Sequence, residues 1–259
     1  MKSSASTTGA FVADANSVYP PREDTFLLLP FTRLAPGRRL LEVGAGNGTA
    51  ALAAARRGTR VVATDLNPFA LRRLRARARA ERLPLDAVRT DLARGLGRFD
   101  RVLANPPYLP TRPDERDPDR WQNLALDGGT DGCRVLARLV LALPDHLAPG
   151  ADAYVVVSSR QDARRRDAIR RGWLARGGRW SVVAERRFEG ERLHVWRLSL
   201  DEGGNRARNV RRARARRPGT GARRRTPPAR RSASSRAPGP GSTSARGAAS
   251  IRRRSPRGW

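Results

Sequence analysis

Short apolar runs alternate with helical patterns along residues 38–200 of this 259-residue chain. The apolar runs are rich in Leu, Val and Ala, as is typical of β-strands. The predicted strands cover residues 38–43, 60–65, 85–89, 99–104, 154–157, 180–188 and 192–200. Apolar residues three and four positions apart predict helices over residues 49–57, from 67 onwards, 131–147 and 162–176. This order predicts an α/β fold, with a doubly wound, mostly parallel, seven-stranded sheet and an antiparallel terminal strand.

The helix that begins near residue 67 carries both a start signal and an apolar face. Asn67 and Pro68 form a usual helix start, because Asn caps free N–H groups and Pro has no N–H to leave unpaired. Leu71, Leu74 and Ala78 fall on one face, which we expect to pack on the sheet. The rest of the helix carries arginines at positions 72, 73, 75, 77 and 79. We predict that these arginines are solvated, with nucleic-acid contact as the alternative.

Positive charge is concentrated at the C-terminus. The chain has 53 Lys and Arg against 24 Asp and Glu, which gives a formal net charge of +29. Residues 203–259 contain 18 arginines and no acidic residue, among Pro, Gly, Ser and Ala. Such a composition buries too little apolar surface to offset the entropy lost on ordering. We therefore predict a flexible N-terminus over residues 1–18, a folded domain over 19–202 and a disordered basic tail over 203–259.

Several classes of protein are disfavoured by the composition. Cys133 is the only cysteine, so no disulfide forms within the chain, and we expect it to be a semi-buried helix residue rather than a nucleophile. The two histidines, His146 and His194, are far apart in the sequence, and no residues have metal-ligand spacing, so no metal is expected. No run approaches the roughly 18 to 20 apolar residues that cross a bilayer, and no signal peptide is evident. A cytoplasmic protein without membrane contact is predicted.

The predicted strand over residues 99–104 ends at Asn105-Pro106-Pro107-Tyr108. In open α/β sheets, ligands bind at the carboxyl ends of strands, so this polar and aromatic segment is a candidate active-site loop. Asn-Pro is also a common turn initiator. The four residues alone therefore fit an ordinary turn as well as a binding site.

A glycine-rich loop follows the first predicted strand. Its spacing is acid-x-Gly-x-Gly-x-Gly, formed by Glu42, Gly44, Gly46 and Gly48. Glycines at this place allow a tight turn and the close approach of a cofactor. The dinucleotide fingerprint requires a further glycine where Thr49 stands, so the loop fits an S-adenosylmethionine site better than a dinucleotide site.

Acidic residues follow the next two predicted strands. Asp65 ends the second strand, where it can accept both hydroxyls of an adenosine ribose. Asp91 follows the third strand, where it can meet the exocyclic amine of adenine. A helix cap is the alternative for Asp65, and a surface turn is the alternative for Asp91.

In this order, the glycine loop, the acidic strand end and Asn-Pro-Pro-Tyr resemble a class I S-adenosylmethionine-dependent methyltransferase with a Rossmann-like sheet. The chain more narrowly resembles the HemK/PrmC group, which methylates a glutamine side chain in translation release factors. Two further segments carry this resemblance. Residues 19–29 resemble the segment that closes over the cofactor in the group, and residues 125–132 resemble its Gly-Gly-x-Asp-Gly signature. The resemblance covers roughly residues 11–200.

The resemblance implies S-adenosylmethionine as the cofactor and a set of site residues. The implied cofactor-binding residues are Thr25, Glu42, Gly44, Gly46, Gly48, Asp65, Asp91 and Asn105. The implied catalytic residues are Asn105, Pro106, Pro107 and Tyr108. We expect the Asn105 side-chain oxygen and the Pro106 carbonyl to accept the two amide hydrogens of the acceptor. Tyr108 would pack on the flat amide, and Pro107 would help to fix the loop.

The glycine loop begins near residue 44, which leaves no room for the N-terminal helical domain common in bacterial members of the group. The chain is therefore similar to the short, catalytic-domain-only branch. That branch often works with a small activating subunit, which is a candidate partner besides the release factor.

Alternatives remain open on the sequence alone. Asn-Pro-Pro-Tyr suits the exocyclic amines of adenine or guanine equally well, so a DNA or RNA methyltransferase is the first alternative. The basic tail could contact nucleic acid or the ribosome. Against this alternative, a folded part of about 200 residues leaves no room for a separate target-recognition domain. A lysine methyltransferase is a weaker option. A nucleic-acid-binding protein with an inactive methyltransferase core is an alternative of another class.

Overall fold

The computed structural model describes residues 18–200 of the chain. The predicted tail over 203–259 lies outside the described residues, as does the predicted flexible N-terminus apart from Val18. Within the described part, no helix combines the length and the apolar character needed to cross a membrane.

A seven-stranded sheet forms the centre of the described residues. Its strands are β1 (Arg39–Val43), β2 (Arg60–Asp65), β3 (Leu85–Arg89), β4 (Phe99–Ala104), β5 (Leu147–Ser158), β6 (Gly178–Phe188) and β7 (Glu191–Leu200). Their order in the sheet is β3-β2-β1-β4-β5-β7-β6. The first five strands in this order pair in parallel, whereas β7 is antiparallel to both β5 and β6. The predicted fold class is confirmed.

Helices lie between the strands. They are α1 (Glu23–Phe26), α2 (Thr49–Ala55), α3 (Pro68–Ala80), α4 (Arg120–Leu126), α5 (Arg134–His146) and α6 (Ala163–Leu174). Short 3₁₀ turns cover Leu29–Thr32 and Pro113–Glu115. The sequence pattern predicts α2, α3, α5 and α6. It misses α1, whose four residues complete a single turn and show no helical period, and it misses α4, whose seven residues lack the alanine-rich composition that indicates the equally short α2.

The start of α3 follows its sequence signal. Asn67 Oδ1 accepts hydrogen bonds from the N–H groups of Phe69 (2.9 Å) and Ala70 (3.4 Å). The predicted inward face is buried, and the five arginines predicted to be solvated are exposed. One of these arginines, Arg75, also donates to the carbonyl of Ala87 in β3.

The sheet buries apolar side chains on both faces. One face packs against α2 and α3 through Leu52 and Leu74. The other packs against α5 and α6 through Leu136 and Trp173. Each of these large side chains is almost fully removed from water, which contributes roughly 1.5 to 3 kcal/mol per residue. Because helices cover both faces of the sheet, a site can form among the loops at the ends of the strands.

Strand β5 is longer than the predicted 154–157. Leu147 already pairs with Phe99, and the strand then rejoins the ladder at Asp152. Residues 148–151, which include a Pro-Gly pair, interrupt the register between these pairings. These turn-forming residues hide the first part of the strand from a sequence pattern.

The N-terminus of α5 also differs from its prediction. The helix begins at Arg134 rather than at Asp131, because Gly132 has φ +69° and cannot continue into a right-handed helix. Cys133 is fully buried before the first turn, and not semi-buried within the helix as predicted. Burial raises the pKa of its thiol to about 11, which makes it a poor nucleophile.

The chain order of the strands places two loops side by side. From β1 the chain moves outward to β2 and β3, and it then returns to β4 on the other side of β1. Val43, the last residue of β1, pairs with Ala104, the last residue of β4. The glycine loop and the Asn-Pro-Pro-Tyr loop therefore leave the sheet as neighbours, at the switch point where open α/β sheets bind ligands.

Candidate active site

A cavity of about 860 Å³ opens at the carboxyl edge of the sheet. Its wall combines the loops after β1 to β4 with residues 18–28, α4 and α5. The predicted site residues that line it are Thr25, Glu42, Gly44, Gly46, Asp65, Asp91, Asn105, Pro106, Pro107 and Tyr108. Gly48 is the predicted site residue that is not part of the wall. Residues chosen from separate motifs thus meet around one space.

The first two glycines of the loop face open space. Gly44 and Gly46 have φ values of +69° and +52°, a region that residues with a Cβ rarely adopt. A Cβ added to either glycine would meet no atom within 4 Å other than its own neighbours. These positions therefore combine a left-handed backbone, which glycine adopts without strain, with free space beside it, which is the arrangement expected where a ligand approaches the main chain.

Gly48 has a different role. Its φ is +75°, and an added Cβ would lie 2.3 Å from Leu74 Cδ1. This glycine therefore allows the N-terminus of α2 to approach α3. The close approach stabilises the base of the loop rather than the cavity wall.

Asp65 joins the loops after β1 and β2. Its Oδ2 accepts a hydrogen bond from the Gly46 N–H at 2.8 Å, and its Oδ1 accepts one from the Asn67 N–H at 2.8 Å. Burial raises the pKa of the carboxyl, and these backbone bonds oppose the rise. The side chain of Asn67, and not that of Asp65, caps α3. The helix-cap alternative for Asp65 therefore does not describe this structure, and its carboxylate is exposed to the cavity.

Glu42 is a deeply buried acid of the site, with 6% of its surface exposed. Its Oε2 accepts a hydrogen bond from the Ala51 N–H of α2 at 2.7 Å. Desolvation is the main cause that raises the pKa of Glu42 to about 8. Near neutral pH this carboxyl therefore carries a proton in a large fraction of the molecules, and it offers the cavity both a donor and an acceptor.

Asp91 lines the cavity beyond β3, as predicted, but it has a partner that the sequence did not indicate. Its Oδ2 forms an ion pair with the guanidinium of Arg138 on α5. Arg138 lines the same cavity. The end of the cavity near Asp91 is therefore bounded by a cation and an anion together.

Asn105 lines the cavity and carries an unsatisfied acceptor. Its Oδ1 is buried and has no hydrogen-bond partner within residues 18–200. A buried acceptor without a partner costs about 1 to 3 kcal/mol, so its position is maintained by the surrounding fold. The next two residues, Pro106 and Pro107, have no N–H group and fixed φ angles, which stiffen the loop beside this atom.

The Gly-Gly-x-Asp-Gly segment supports the Asn-Pro-Pro-Tyr loop through main-chain contacts. The Gly128 N–H donates to the Leu109 carbonyl at 2.9 Å, and the Leu109 N–H donates to the Leu126 carbonyl at 3.1 Å. A Cβ added to Gly132 would lie 2.5 Å from the carbonyl oxygen of Tyr108. The glycines of the signature are therefore explained by contacts between main chains. They fix the direction in which Tyr108 leaves the sheet.

Asp127 anchors the long loop between Tyr108 and α5. It is 5% exposed, and its carboxylate pairs with Arg116 at 3.2 Å and with Arg134 at 3.1 Å. It also accepts the Gly129 N–H at 2.7 Å. These bonds lower the pKa of the carboxyl against the opposing effect of its burial.

Two features of the cavity could not be predicted from the sequence. Asp24 is buried beside Tyr108, although nothing in its sequence context distinguishes it from a surface acid. Trp121 of α4 lines the cavity and meets the ring of Phe69 edge to face, with ring centroids 5.8 Å apart. The sequence shows that Phe69 and Trp121 are aromatic, but they are too far apart in the chain for their contact to be predicted.

Known methyltransferases are similar to this chain in sequence. The sequence model of the methyltransferase small domain family matches residues 23–122. A protein of Methanocaldococcus jannaschii, named putative protein N5-glutamine methyltransferase MJ0928, is 37% identical over 144 residues, which are 55% of this chain and 73% of that protein. Methyltransferase HEMK2 of Mus musculus is 34% identical over 204 residues, which are 74% of this chain and 92% of that protein.

Solved structures show the same fold. A chain of the E. cuniculi Mtq2–Trm112 complex, which is described as responsible for the methylation of the eRF1 translation termination factor, superposes with a TM-score of 0.55 and 26% identity. The similarity covers 71% of this chain and 99% of that one.

Proposed function

The chain belongs to the HemK family of methyltransferases that includes HEMK2, and we propose that it methylates the side-chain amide nitrogen of a glutamine in a translation release factor, with S-adenosylmethionine as the methyl donor. Methyl transfer is the activity of the family. The acceptor and the cofactor are our proposal.

The observation that carries the proposal is the unpaired Oδ1 of Asn105. A primary amide offers two N–H donors in one plane, and one of them can satisfy this buried acceptor. The Pro106 carbonyl would accept the second. Two acceptors on one stiff loop would hold the acceptor nitrogen in place and favour the positive charge that develops on it. A lysine ammonium has three donors directed away from a common plane and would match this pair less well.

The residues of the cavity fit S-adenosylmethionine. This cofactor supplies an electrophilic methyl group on a sulfonium. Gly44 and Gly46 leave free space beside the main chain for it, and the Asp65 carboxylate would accept the ribose hydroxyls. Asp91 would meet the adenine amine, since its contact with Arg138 uses Oδ2. Thr25 and Glu42 would complete the wall of the cofactor site.

The acceptor side has its own residues. Tyr108 stands three positions beyond Asn105 and lines the same cavity, where its ring would pack on the flat amide. As the glutamine nitrogen bonds to the methyl carbon and the carbon–sulfur bond breaks, that nitrogen releases one proton to water. No strong base is needed for this loss, because a methylated, positively charged amide is strongly acidic.

The names of the relatives support a protein acceptor. Two carry glutamine or release-factor methylation in their description, and the third is methyltransferase HEMK2. The Mtq2–Trm112 structure is a complex of two proteins, and by analogy we propose that a small activating subunit assists this chain. An enzyme that acts on a release factor would work in the cytoplasm, where translation ends. Residues 19–202 would form the catalytic unit.

The proposal is tested by labelled S-adenosylmethionine with three candidate acceptors: a release factor, duplex DNA and single-stranded RNA. We expect the label on the glutamine of the factor's Gly-Gly-Gln motif. The Asn105→Ala variant should lose transfer by on the order of 100-fold or more while its affinity for the cofactor is retained. The Asp65→Ala variant should instead weaken cofactor binding, which calorimetry measures directly. Label on a nucleic-acid base and none on the factor would replace the proposed acceptor.

A further inference from the structure

A second, smaller cavity of about 350 Å³ lies at the β6–β7 hairpin. We call it the basic pocket, because Arg166, Arg187, Arg192 and His194 contribute to its wall. Glu191 is the acidic residue of that wall. Neither the sequence motifs nor the family resemblance assigns these residues a role.

The basic pocket lies on the acceptor side of the sheet. In the order of the strands, β3, β2 and β1 carry the cofactor loops, and β4 carries Asn105. The next strands are β5, β7 and β6. Ser158 at the carboxyl end of β5 pairs with Leu193, so the beginning of β7 lies at the same edge as the active-site loops. The edge thus runs from the cofactor site, past Asn105, to the basic pocket.

Glu191 connects the two cavities. It lines both the large cavity and the basic pocket. Its carboxylate accepts a hydrogen bond from Ser158 Oγ at 2.6 Å and lies 3.7 Å from Arg160 Nε. A polypeptide segment whose glutamine enters at Asn105 can therefore continue over Glu191 toward the arginines.

The wall of the basic pocket contains buried polar atoms without partners. Arg166 Nε and His194 Nδ1 are both buried, and neither has a hydrogen-bond partner among residues 18–200. His194 Nδ1 lies 3.4 Å from a Glu185 oxygen without forming a hydrogen bond. Burial lowers the pKa of His194, which favours the neutral imidazole. A bound oxygen ligand would satisfy groups that the fold leaves unpaired.

The charges around the pocket favour an anionic ligand. Arg187 and Arg192 share Glu185 as a partner, at 2.8 Å and 3.7 Å. Glu191 contacts Arg160 in the same way, so Glu185 and Glu191 together face four guanidinium groups, and a positive charge remains. A carboxylate matches this remainder and the planar donors of an arginine. The successive phosphates of a nucleic acid would meet two carboxylates in the same place.

We propose that the basic pocket binds a carboxylate side chain of the acceptor protein, on the same segment as the methylated residue. The identity of that acceptor rests on the proposed function. The pocket would fix the segment on one side of the glutamine while Asn105 holds the amide itself.

Methylation kinetics test this on the full chain with the release factor as the acceptor. Arg166→Ala should raise the KM for the factor by about tenfold, as expected for the loss of one charge-assisted hydrogen bond, with kcat unchanged. Arg166→Lys should give a smaller rise, because it keeps the charge and loses the planar donor pair. Arg164→Ala is the matched control, since it removes the same charge from an exposed position of α6.

The partner residue is found by changing acidic residues of the factor near its methylated glutamine, one at a time, to the matching amides. One of these changes should raise KM for the wild-type enzyme and have no further effect on Arg166→Ala. Equal KM values for the Arg166→Ala and Arg164→Ala variants would overturn the proposal. The proposal would also be overturned if Arg166→Ala raises the KM but no change of an acidic residue in the factor raises it.

A binding measurement separates this proposal from the proposed function. The chain has two histidines, so labelled histidine gives separate NMR signals for His194 and His146. N-acetylglutamate α-amide should shift the His194 signals in a saturable way in the wild type, and should leave them in place in Arg166→Ala. No shift in the wild type refutes the pocket, as does a shift by inorganic phosphate or a single-stranded oligonucleotide alone. A saturable shift together with no methyl transfer to the factor would refute only the proposed function.

Discussion

The Tyr108 hydroxyl donates a hydrogen bond to Asp24 Oδ2 across 3.4 Å, and this bond joins the Asn-Pro-Pro-Tyr loop to α1 over 84 sequence positions. Asp24 is 4% exposed, and its Oδ1 accepts the Thr25 N–H at 2.7 Å. Burial is the main cause that raises the pKa of Tyr108, and Asp24 adds to it. The hydroxyl therefore keeps its proton at neutral pH and remains a donor. The N-terminal segment thus helps to orient the aromatic ring that would contact the acceptor.

Removal of either partner of this bond should impair methyl transfer. Tyr108→Phe keeps the ring and loses the donor. Asp24→Asn keeps the shape but has one acceptor oxygen, which the Thr25 N–H occupies, so an amide N–H₂ replaces the acceptor of the Tyr108 hydroxyl. Each change should lower kcat by about tenfold, on the scale of one hydrogen bond to a charged group. The double variant should be no slower than the slower single variant, because both remove the same contact. A double-mutant cycle on kcat measures this, and effects that multiply would contradict a shared role.

The bond between Tyr108 and Asp24 also shows which features of this site can be predicted from the sequence. Strand ends, the glycine loop and the start of α3 follow from local patterns, because each depends on residues a few positions apart. The contact of Asp24 with Tyr108 depends on the sheet order, which brings distant loops to one edge. The pairing of Asp91 with Arg138 is hidden for the same reason. Local chemistry predicts many of the residues that face the cavity, but not which of them contact each other.

Glu42 should make the stability of the protein depend on pH. Its pKa is raised from 4.5 to about 8 in the folded state. The folded state therefore binds a proton that the unfolded state has lost between these values, so the contribution of Glu42 falls as pH rises through this window. The change should be on the order of a few kcal/mol. Thermal unfolding of the wild type and Glu42→Gln from pH 4 to pH 9 tests it.

All other titrating groups are common to the wild type and Glu42→Gln, so their contributions cancel in the difference between the two melting temperatures. We expect the melting temperature of the wild type, relative to the variant, to fall steadily from pH 5 to pH 8 and to level off above pH 8. A constant difference across that range would show that Glu42 does not carry the raised pKa.

The glycines of the loop should separate into two kinds. Gly48→Ala would bring a Cβ within 2.3 Å of Leu74 Cδ1, so it should destabilise the fold by roughly 1 to 3 kcal/mol. Gly44→Ala meets no neighbour, so its cost is the positive φ alone, roughly 1 kcal/mol. Its methyl group would instead enter the space next to the main chain that the cofactor would use. Chemical denaturation and calorimetric titration with S-adenosylmethionine measure the two effects.

A matched change identifies the cause for Gly48. Leu74→Ala makes room for the added methyl group, so Gly48→Ala should cost less in that background than in the wild type. Gly44→Ala should cost the same in both backgrounds. The distinction between the glycines is unsupported if Gly44→Ala unfolds as readily as Gly48→Ala and binds the cofactor normally.

Removal of residues 203–259 should leave methyl transfer to the release factor unchanged. The last described strand ends at Leu200, which pairs with Gly178 and is 5% exposed, so a cut after Glu202 spares the sheet. The removed segment contains 18 arginines, and the cavity residues named above all precede it in the chain. Full-length and truncated proteins should therefore have the same kcat and KM. Binding to nucleic acid should weaken on truncation, and the slope of log affinity against log salt should become shallower, because fewer counterions are released. A truncated enzyme that binds the cofactor normally but has a raised KM for the factor would instead assign the tail to acceptor binding.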